Sequence, residues 1–321
     1  MKREQILIFA NPIAGRGRAK RIAATLEEEL KKRGYGVRIF FSKPAELEHA
    51  HEYVSMAPGR IRAGIIIGGD GTLRGVAQWA IDSAFPNQEA MCASGELANL
   101  PYPLLIVPMG TANLMGKHLG VNWSDENIGE EVAEALAAAN VRQLDVARTN
   151  GGIFLLMAGV GFDAWVVHEL DRVRSGPIDL MNYIMPAMKA IAEYQFPRLE
   201  VTVDGKKVFK KAPALALVGN IREYGTGFAI LPQARPDDQL LDVCVMPCAS
   251  PKDLIKLALS AAAGEHVQQE GVVYVKGRNV RIESTTPVPV QVDGEPAGQT
   301  PVDIDLLPCR IPFIVPPSSD I

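Results

Sequence analysis

The stretch that decides the fold is RAGIIIGGDGTLRGV, residues 62–76. Its first half is a short apolar run with three isoleucines, suited to a strand buried on both faces. Gly68, Gly69 and Gly71 then interrupt the run, and Leu73, Val76, Ala77 and Ala80 resume it at helical spacing. Strand, glycine-rich turn and helix in that order make half of a βαβ unit. The glycines permit positive φ and remove Cβ atoms, so backbone N–H groups can converge on an anion, and the helix start adds its partial positive charge. Thr72 contributes a hydroxyl at that point.

The same rhythm extends outward. Upstream, QILIFA reads as a buried strand ending at Asn11-Pro12, and Ile22, Leu26 and Leu30 mark an amphipathic helix over residues 18–32. YGVRIFF is a second strand, and a helical pattern runs from Pro44 to about Met56. Downstream, Phe85 to Pro101 has no period and reads as a surface insertion, PLLIVP is a fourth strand, and residues 126–139 form an alanine-rich helix. Alternating strands and helices predict an α/β domain built on a doubly wound, mostly parallel sheet.

Past Gln143 the pattern changes to strands: LDVART, IFLLMAG, RLEVTVDG, KKVFKKAPALALVGN, LLDVCVMP, GVVYVKG, NVRIES, VPVQVDG, VDIDLLP and RIPFIVP. Helices are expected only near 161–172, 177–194 and 250–262. The division predicted is therefore a nucleotide-binding α/β domain over 1–143 and a β-rich sandwich over 144–321, with the option that the last residues pack back on the first domain.

The chain has 321 residues, 47% hydrophobic and 22% charged, enough apolar material for two cores. A net charge of -4 argues against nucleic acid as the main partner. No apolar run is long enough for a signal sequence or a membrane span, which predicts a cytoplasmic protein. Cys92, Cys244, Cys248 and Cys309 lack metal-ligand spacing and read as unpaired thiols.

Asp70 is the odd member of the glycine turn. A carboxylate beside phosphates repels them unless a cation intervenes, so Asp70 either meets Mg²⁺ or accepts hydrogen bonds that brace the loop. The turn is not a Walker A loop, because no Gly-Lys-Ser/Thr follows. Asn11-Pro12-Ile13-Ala14-Gly15-Arg16-Gly17 and Gly110-Thr111-Ala112-Asn113 also follow predicted strands, where ligands of open α/β sheets collect. Each alone reads more readily as an idle turn; three on one sheet point to a site.

NPIAGRGRA, IIIGGDGTLRGV and VPMGTANLMGKHLG, followed by GVGFDAWVV, Tyr224-Gly225-Thr226-Gly227, LPQARPDDQLLDV and VQVDGEP, resemble the diacylglycerol kinase catalytic family, which includes bacterial lipid kinases and sphingosine and ceramide kinases. The resemblance implies a two-domain lipid kinase using ATP and Mg²⁺, with its active site in the cleft between the domains. It matches nucleotide-holding loops to Asn11, Pro12, Ile13, Ala14 and Gly15, to Gly68, Gly69, Asp70, Gly71, Thr72, Leu73 and Arg74, and to Thr111 and Asn113. Ser42 occupies the place of a nucleotide-contacting threonine.

By the same resemblance, Glu295 of Asp293-Gly294-Glu295 is the proton acceptor, with Asp293 and Asp70 as further catalytic candidates. VQVDGEP is equally a plain hairpin, a device repeated in VTVDGKK at residues 201–207. A structural Mg²⁺ is implied at Asp237, Asp238 and the carbonyl of Leu240, although Arg235 precedes them and Gln239 replaces a glycine. Arg74, Gly75 and Leu114 also depart from the family pattern.

The expected substrate is a membrane lipid alcohol, diacylglycerol first, reached by peripheral association with the membrane. Leu180, Ile184, Met188 and Ile191 form either core packing or an acyl groove, with Met181, Met185 and Met188 as adaptable apolar surface, while Arg172, Arg174 and Lys189 read equally as headgroup contacts or as solvated charges. A homodimer is left open. Two other readings stand beside this one: phosphorylation of a soluble substrate in the manner of NAD kinases, and a nucleotide-binding regulatory module without catalysis.

Overall fold

A computed structural model describes residues 4–41, 59–173, 194–225 and 228–317. Ser42, the helix expected at 44–56, the segment 177–193 with its methionines, Arg174, Lys189, Thr226 and Gly227 lie outside the described residues. The chain divides into two compact units, Met1–Leu144 with Pro308–Ile321, and Asp145–Leu307.

The first unit contains β1 (Gln5–Ala10), β2 (Gly36–Phe40), β3 (Ile61–Gly68), β4 (Ala98–Asn99), β5 (Leu104–Pro108) and the end of β18 (Val302–Ile314). Its helices are α1 (Arg18–Lys32), α2 (Asp70–Ala84), α3 (Gln88–Ser94), α4 (Leu114–His118) and α5 (Ile128–Ala138). Strand order is β2–β1–β3–β5–β18, parallel throughout. Side chains alternate across β1 as a pleated strand requires. Ile6, Ile8 and Ala10 join a core with Leu26 and Leu30 of α1 and Val132 and Leu136 of α5. Phe9 packs against Trp79 of α2, ring centres 5.1 Å apart. Helices thus supply apolar side chains to alternate positions of one strand, and each fully buried Leu contributes about 1.5–3 kcal/mol.

From β1 the chain passes to β2 on one side, while β3 pairs with β1 on the other. The sheet therefore switches direction between β1 and β3, and the loops after these two strands flank the switch point, where open α/β sheets take their ligands. The segment 85–101 is more than the surface insertion its composition predicts. Asn87 caps α3 by accepting from the Ala90 N–H, and β4 pairs in parallel with Cys309 and Arg310 of β18. Those partners stand more than two hundred positions away in the chain, so local pattern could not reveal the pairing.

In the second unit two antiparallel sheets share the long strand β10 (Lys206–Gly219). One sheet holds β6 (Val141–Thr149), β7 (Gly152–Phe154), β9 (Arg198–Val203), β15 (Asn279–Ser284) and β18. The other holds β8 (Met157–Val160), β13 (Leu241–Pro247), β14 (Val273–Gly277), β16 (Pro289–Val292) and β17 (Glu295–Gln299). Val201, Val218, Val243, Ile282 and Val290 fill one core with both sheets represented, which makes this unit the β-sandwich. A two-strand ribbon, β11 (Glu223–Tyr224) and β12 (Phe228–Ala229), and helices α6 (Phe162–Val173) and α7 (Pro251–Ala262) complete it.

Two strand expectations are corrected. IFLLMAG is two strands, because Leu155 and Leu156 lie between them and donate their N–H groups to the Asp293 carboxylate. VDIDLLP and RIPFIVP are one strand, β18, since the fixed φ of Pro308 and Pro312 is compatible with extended chain.

Candidate functional site

The first unit gathers its three glycine-bearing loops at the carboxyl ends of β1, β3 and β5. Asn11 joins the first loop to the second: its amide donates to Thr72 Oγ1 at 3.3 Å, and its Oδ1 accepts the Ile13 N–H. The Gly15 N–H donates to the Met109 carbonyl, and the Met109 N–H donates to the Gly68 carbonyl at 2.8 Å. Asn113, in the left-handed region at φ 50°, clamps its own turn by accepting from the Gly110 N–H and donating to the Gly110 carbonyl. Ile13 stands 75% exposed at the tip of the first loop.

Asp70 takes the second of the two roles its chemistry allows. Its carboxylate oxygens accept the N–H groups of Leu114 at 3.0 Å and Met115 at 3.1 Å, the first residues of α4. A carboxylate at a helix start satisfies N–H groups that lack intrahelical partners. Asp70 therefore ties the loop after β3 to the loop after β5.

Gly68 and Gly69 of the decisive turn act through closeness rather than through positive φ. Gly68, Gly69 and Gly71 all lie outside the left-handed region. A Cβ on Gly68 would stand 2.5 Å from Thr72 Cβ, and one on Gly110 would stand 2.7 Å from Gly69 Cα. The backbones of two loops touch where any side chain would part them.

In the second unit, Asp293 and Gly294 form the two-residue turn between β16 and β17, with φ of 49° and 81°. Asp293 has both carboxylate oxygens engaged by the three N–H groups of residues 155–157, so it braces a neighbouring segment. Asp204, in the matching Asp204-Gly205 turn of φ 47° and 75°, does the same for Arg278 and Asn279. Shared behaviour in the two hairpins gives Asp293 a bracing role. Glu295 follows at the start of β17, half-buried, where the other hairpin has Lys206.

Sequence reading missed the support beneath this turn. Gln291, fully buried, accepts the Gly294 N–H with its carbonyl oxygen and donates with its amide to Asp163 Oδ2 at 3.1 Å. The Tyr224 hydroxyl donates to the same Asp163 oxygen at 3.5 Å. Burial pushes the Asp163 carboxyl up to about 6 against the pull of these hydrogen bonds. Asp163 lies in GVGFDAWVV, a segment legible as a motif but silent about its partners. Since an unfolded Asp ionises near about 3.9, the fold holds a proton here that the unfolded chain has lost. That stabilising contribution is complete below about pH 4 and is lost as pH rises through about 6. Asp163→Asn is expected to raise the unfolding temperature at pH 8 relative to the unmodified chain, with the gap closing below about pH 4, as read by thermal denaturation across that range.

The acidic run 237–242 does not offer the metal site that the resemblance implies. Asp237 pairs with Arg235 at 3.5 Å. Asp238 accepts the Leu240 N–H with one oxygen and the Lys276 ammonium with the other, at 2.9 Å. Gln239 sits at φ 61°, which explains why a glycine suits that position. No cluster of three or more metal-ligating His, Cys, Asp or Glu side chains occurs among the described residues. Arg172 forms an ion pair with Glu169 at 2.6 Å beside a groove of about 310 Å³ that also meets Trp165, His168 and Thr286.

A parallel switch-point sheet with knitted loops at its carboxyl end, joined in sequence to a β-sandwich, defines a two-unit α/β and β class of protein. Comparison with known proteins gives the family. Residues 5–149 match the diacylglycerol kinase catalytic domain and residues 157–315 match the YegS C-terminal NAD kinase beta sandwich-like domain. The chain belongs to the diacylglycerol kinase catalytic-domain family. It is 23% identical to a diacylglycerol kinase of Bacillus subtilis over 98% of this chain and 97% of that one. It is 25% identical to a diacylglycerol kinase of Mycobacterium tuberculosis, covering 97% and 95%. A crystal structure of a diacylglycerol kinase from Bacillus anthracis aligns with a TM-score of 0.68 at 25% identity over 99% of each chain. No helix among the described residues is long and apolar enough to cross a membrane.

Proposed function

We propose that this protein transfers the γ-phosphate of ATP to a lipid hydroxyl, with diacylglycerol the first candidate. The observation that carries the nucleotide half is the knot of loops at the β1–β3 switch point, in which Gly69 and Gly110 touch backbone to backbone and helix starts face the same end of the sheet. Such a cradle suits phosphate: no Cβ intrudes, and the first N–H groups of α2 carry partial positive charge. Asn11 to Gly15, Gly68 to Arg74, Thr111 and Asn113 are the residues assigned to it. ATP bound there would supply the phosphoryl group, and Mg²⁺ bound with it would offset its charge.

Phosphoryl transfer asks for positioning, charge compensation and a proton acceptor. In the proposed step the lipid hydroxyl oxygen bonds to the γ-phosphorus while the bond to the β-phosphate oxygen breaks. The hydroxyl proton passes to the Glu295 carboxylate and ADP leaves. Relatives named diacylglycerol kinase support the choice of acceptor. Association with a membrane surface finds support in α7, which sets exposed Ile255 and Leu259 beside exposed Lys252 and Lys256, next to β12 with its exposed Phe228.

The test is radiolabelled phosphate transfer from ATP to a panel of lipid alcohols in mixed micelles, with NAD as a separate arm. The labelled phosphate ester of diacylglycerol, or of another lipid alcohol in the panel, is the expected product. Protein that binds ATP yet labels none of the lipids overturns the reading, and label in NAD transfers it to the soluble-substrate alternative.

A further inference from the structure

The loop from Gln233 to Asp242 closes around one atom, the Lys276 Nζ. Lys276 lies on β14 directly across from Asp242 of β13. Its ammonium donates to Asp238 Oδ2 at 2.9 Å and to the Gln233 carbonyl at 3.0 Å, and it stands 3.2 Å from Asp242 Oδ2. Three oxygens thus surround an ammonium that has three protons. Asp242 is fully buried, and its other oxygen accepts the Tyr274 hydroxyl at 2.7 Å. Oδ2 has no hydrogen bond of good geometry, so the ammonium neutralises it by charge.

Arg235 and Asp237 pair with each other on the exposed side of the loop, and its other polar groups are tied down as well. The Gln233 N–H donates to the Tyr274 hydroxyl, Asp238 Oδ1 accepts from Leu240, and Asp145 Oδ2 accepts the Gln239 N–H at 2.6 Å. Two aspartates of the loop, Asp238 and Asp242, therefore meet at one point, and a cation is needed there to hold them together. Oxygen ligands of Mg²⁺ or Ca²⁺ stand about 2.0–2.6 Å from the ion. The ion would have to sit where the Lys276 ammonium already makes its contacts.

We propose that Lys276 is the built-in structural cation of this loop, doing the work of a divalent ion, so that the fold of the second unit does not depend on one. The side chain comes from a different strand than the carboxylates, which makes it a clasp between β14 and the loop as well as a counter-charge. The inference concerns stability and stands apart from the kinase reading.

The experiment is thermal unfolding of the full chain without nucleotide, in EDTA, in Mg²⁺ and in Ca²⁺ at matched ionic strength. The unmodified chain is expected to unfold at one temperature in all three. Lys276→Ala in EDTA should unfold at least about 5 °C lower, because a buried carboxylate loses its counter-charge. Ca²⁺ or Mg²⁺ should return part of that loss, and Lys276→Arg should retain most of the original stability. An unmodified chain that is destabilised by EDTA and recovers with Mg²⁺ overturns the proposal, and this arm needs no variant to fold. So does a Lys276→Ala chain that keeps its full unfolding temperature in EDTA.

Discussion

Glu295→Gln is expected to lower phosphoryl transfer to a lipid alcohol by about 10²–10⁴-fold, the range in which a positioned proton acceptor works, with ATP affinity unchanged. Gln keeps the size and polarity of Glu and removes only its ability to take a proton. The backbone at this point is set by the Asp293-Gly294 turn and by pairing of Glu295 with Val292, neither of which uses the side chain. The comparison that sharpens the test is Asp293→Asn. Three N–H groups donate to that carboxylate, so its amide would set an N–H against N–H donors. That variant should lose thermal stability along with activity, whereas Glu295→Gln should lose activity alone. Steady-state kinetics, isothermal titration with ATP and a melting curve separate the two. Turnover by Glu295→Gln above about a tenth of the original would place the proton acceptor elsewhere.

The difference between those two residues shows where sequence pattern stops. The buried strands β1, β3 and β5 and the helices behind them were legible because their apolar periods are long and uninterrupted. The order of the loops was legible too, since each follows such a strand. Partners distant in the chain were not. Asp70 meeting Leu114, Asp293 meeting Leu155 and Lys276 meeting Asp238 are contacts across 44, 138 and 38 positions. A carboxylate in a string of letters reads the same whether it will take a proton, hold a metal or cap a row of N–H groups. Asp163 and Gln291 went unseen for the same reason, because their roles exist only as a pair. The break between β7 and β8 likewise has no local cause: IFLLMAG is a good strand sequence that Asp293 interrupts.

Gly110→Ala tests the claim that the glycines serve closeness, and it is expected to weaken ATP binding by at least tenfold, about 1.4 kcal/mol. The added Cβ would stand 2.7 Å from Gly69 Cα and 2.8 Å from Asn113 Oδ1. The first of these is backbone and cannot swing aside. The second is the oxygen that clamps the Gly110 N–H, so relief on that side releases the turn bearing Thr111. Overpacking of this kind costs about 1–3 kcal/mol, taken up by parting the loops after β3 and β5. Gly69→Ala should be milder, its Cβ standing 3.0 Å from Gly110 Cα with no second clash. Because neither glycine has positive φ, backbone strain predicts no loss at either position, while closeness predicts loss at both and more at Gly110. Calorimetric ATP affinities of the two variants decide between these causes, and an affinity retained in Gly110→Ala would mean that the loops can part without cost to the nucleotide.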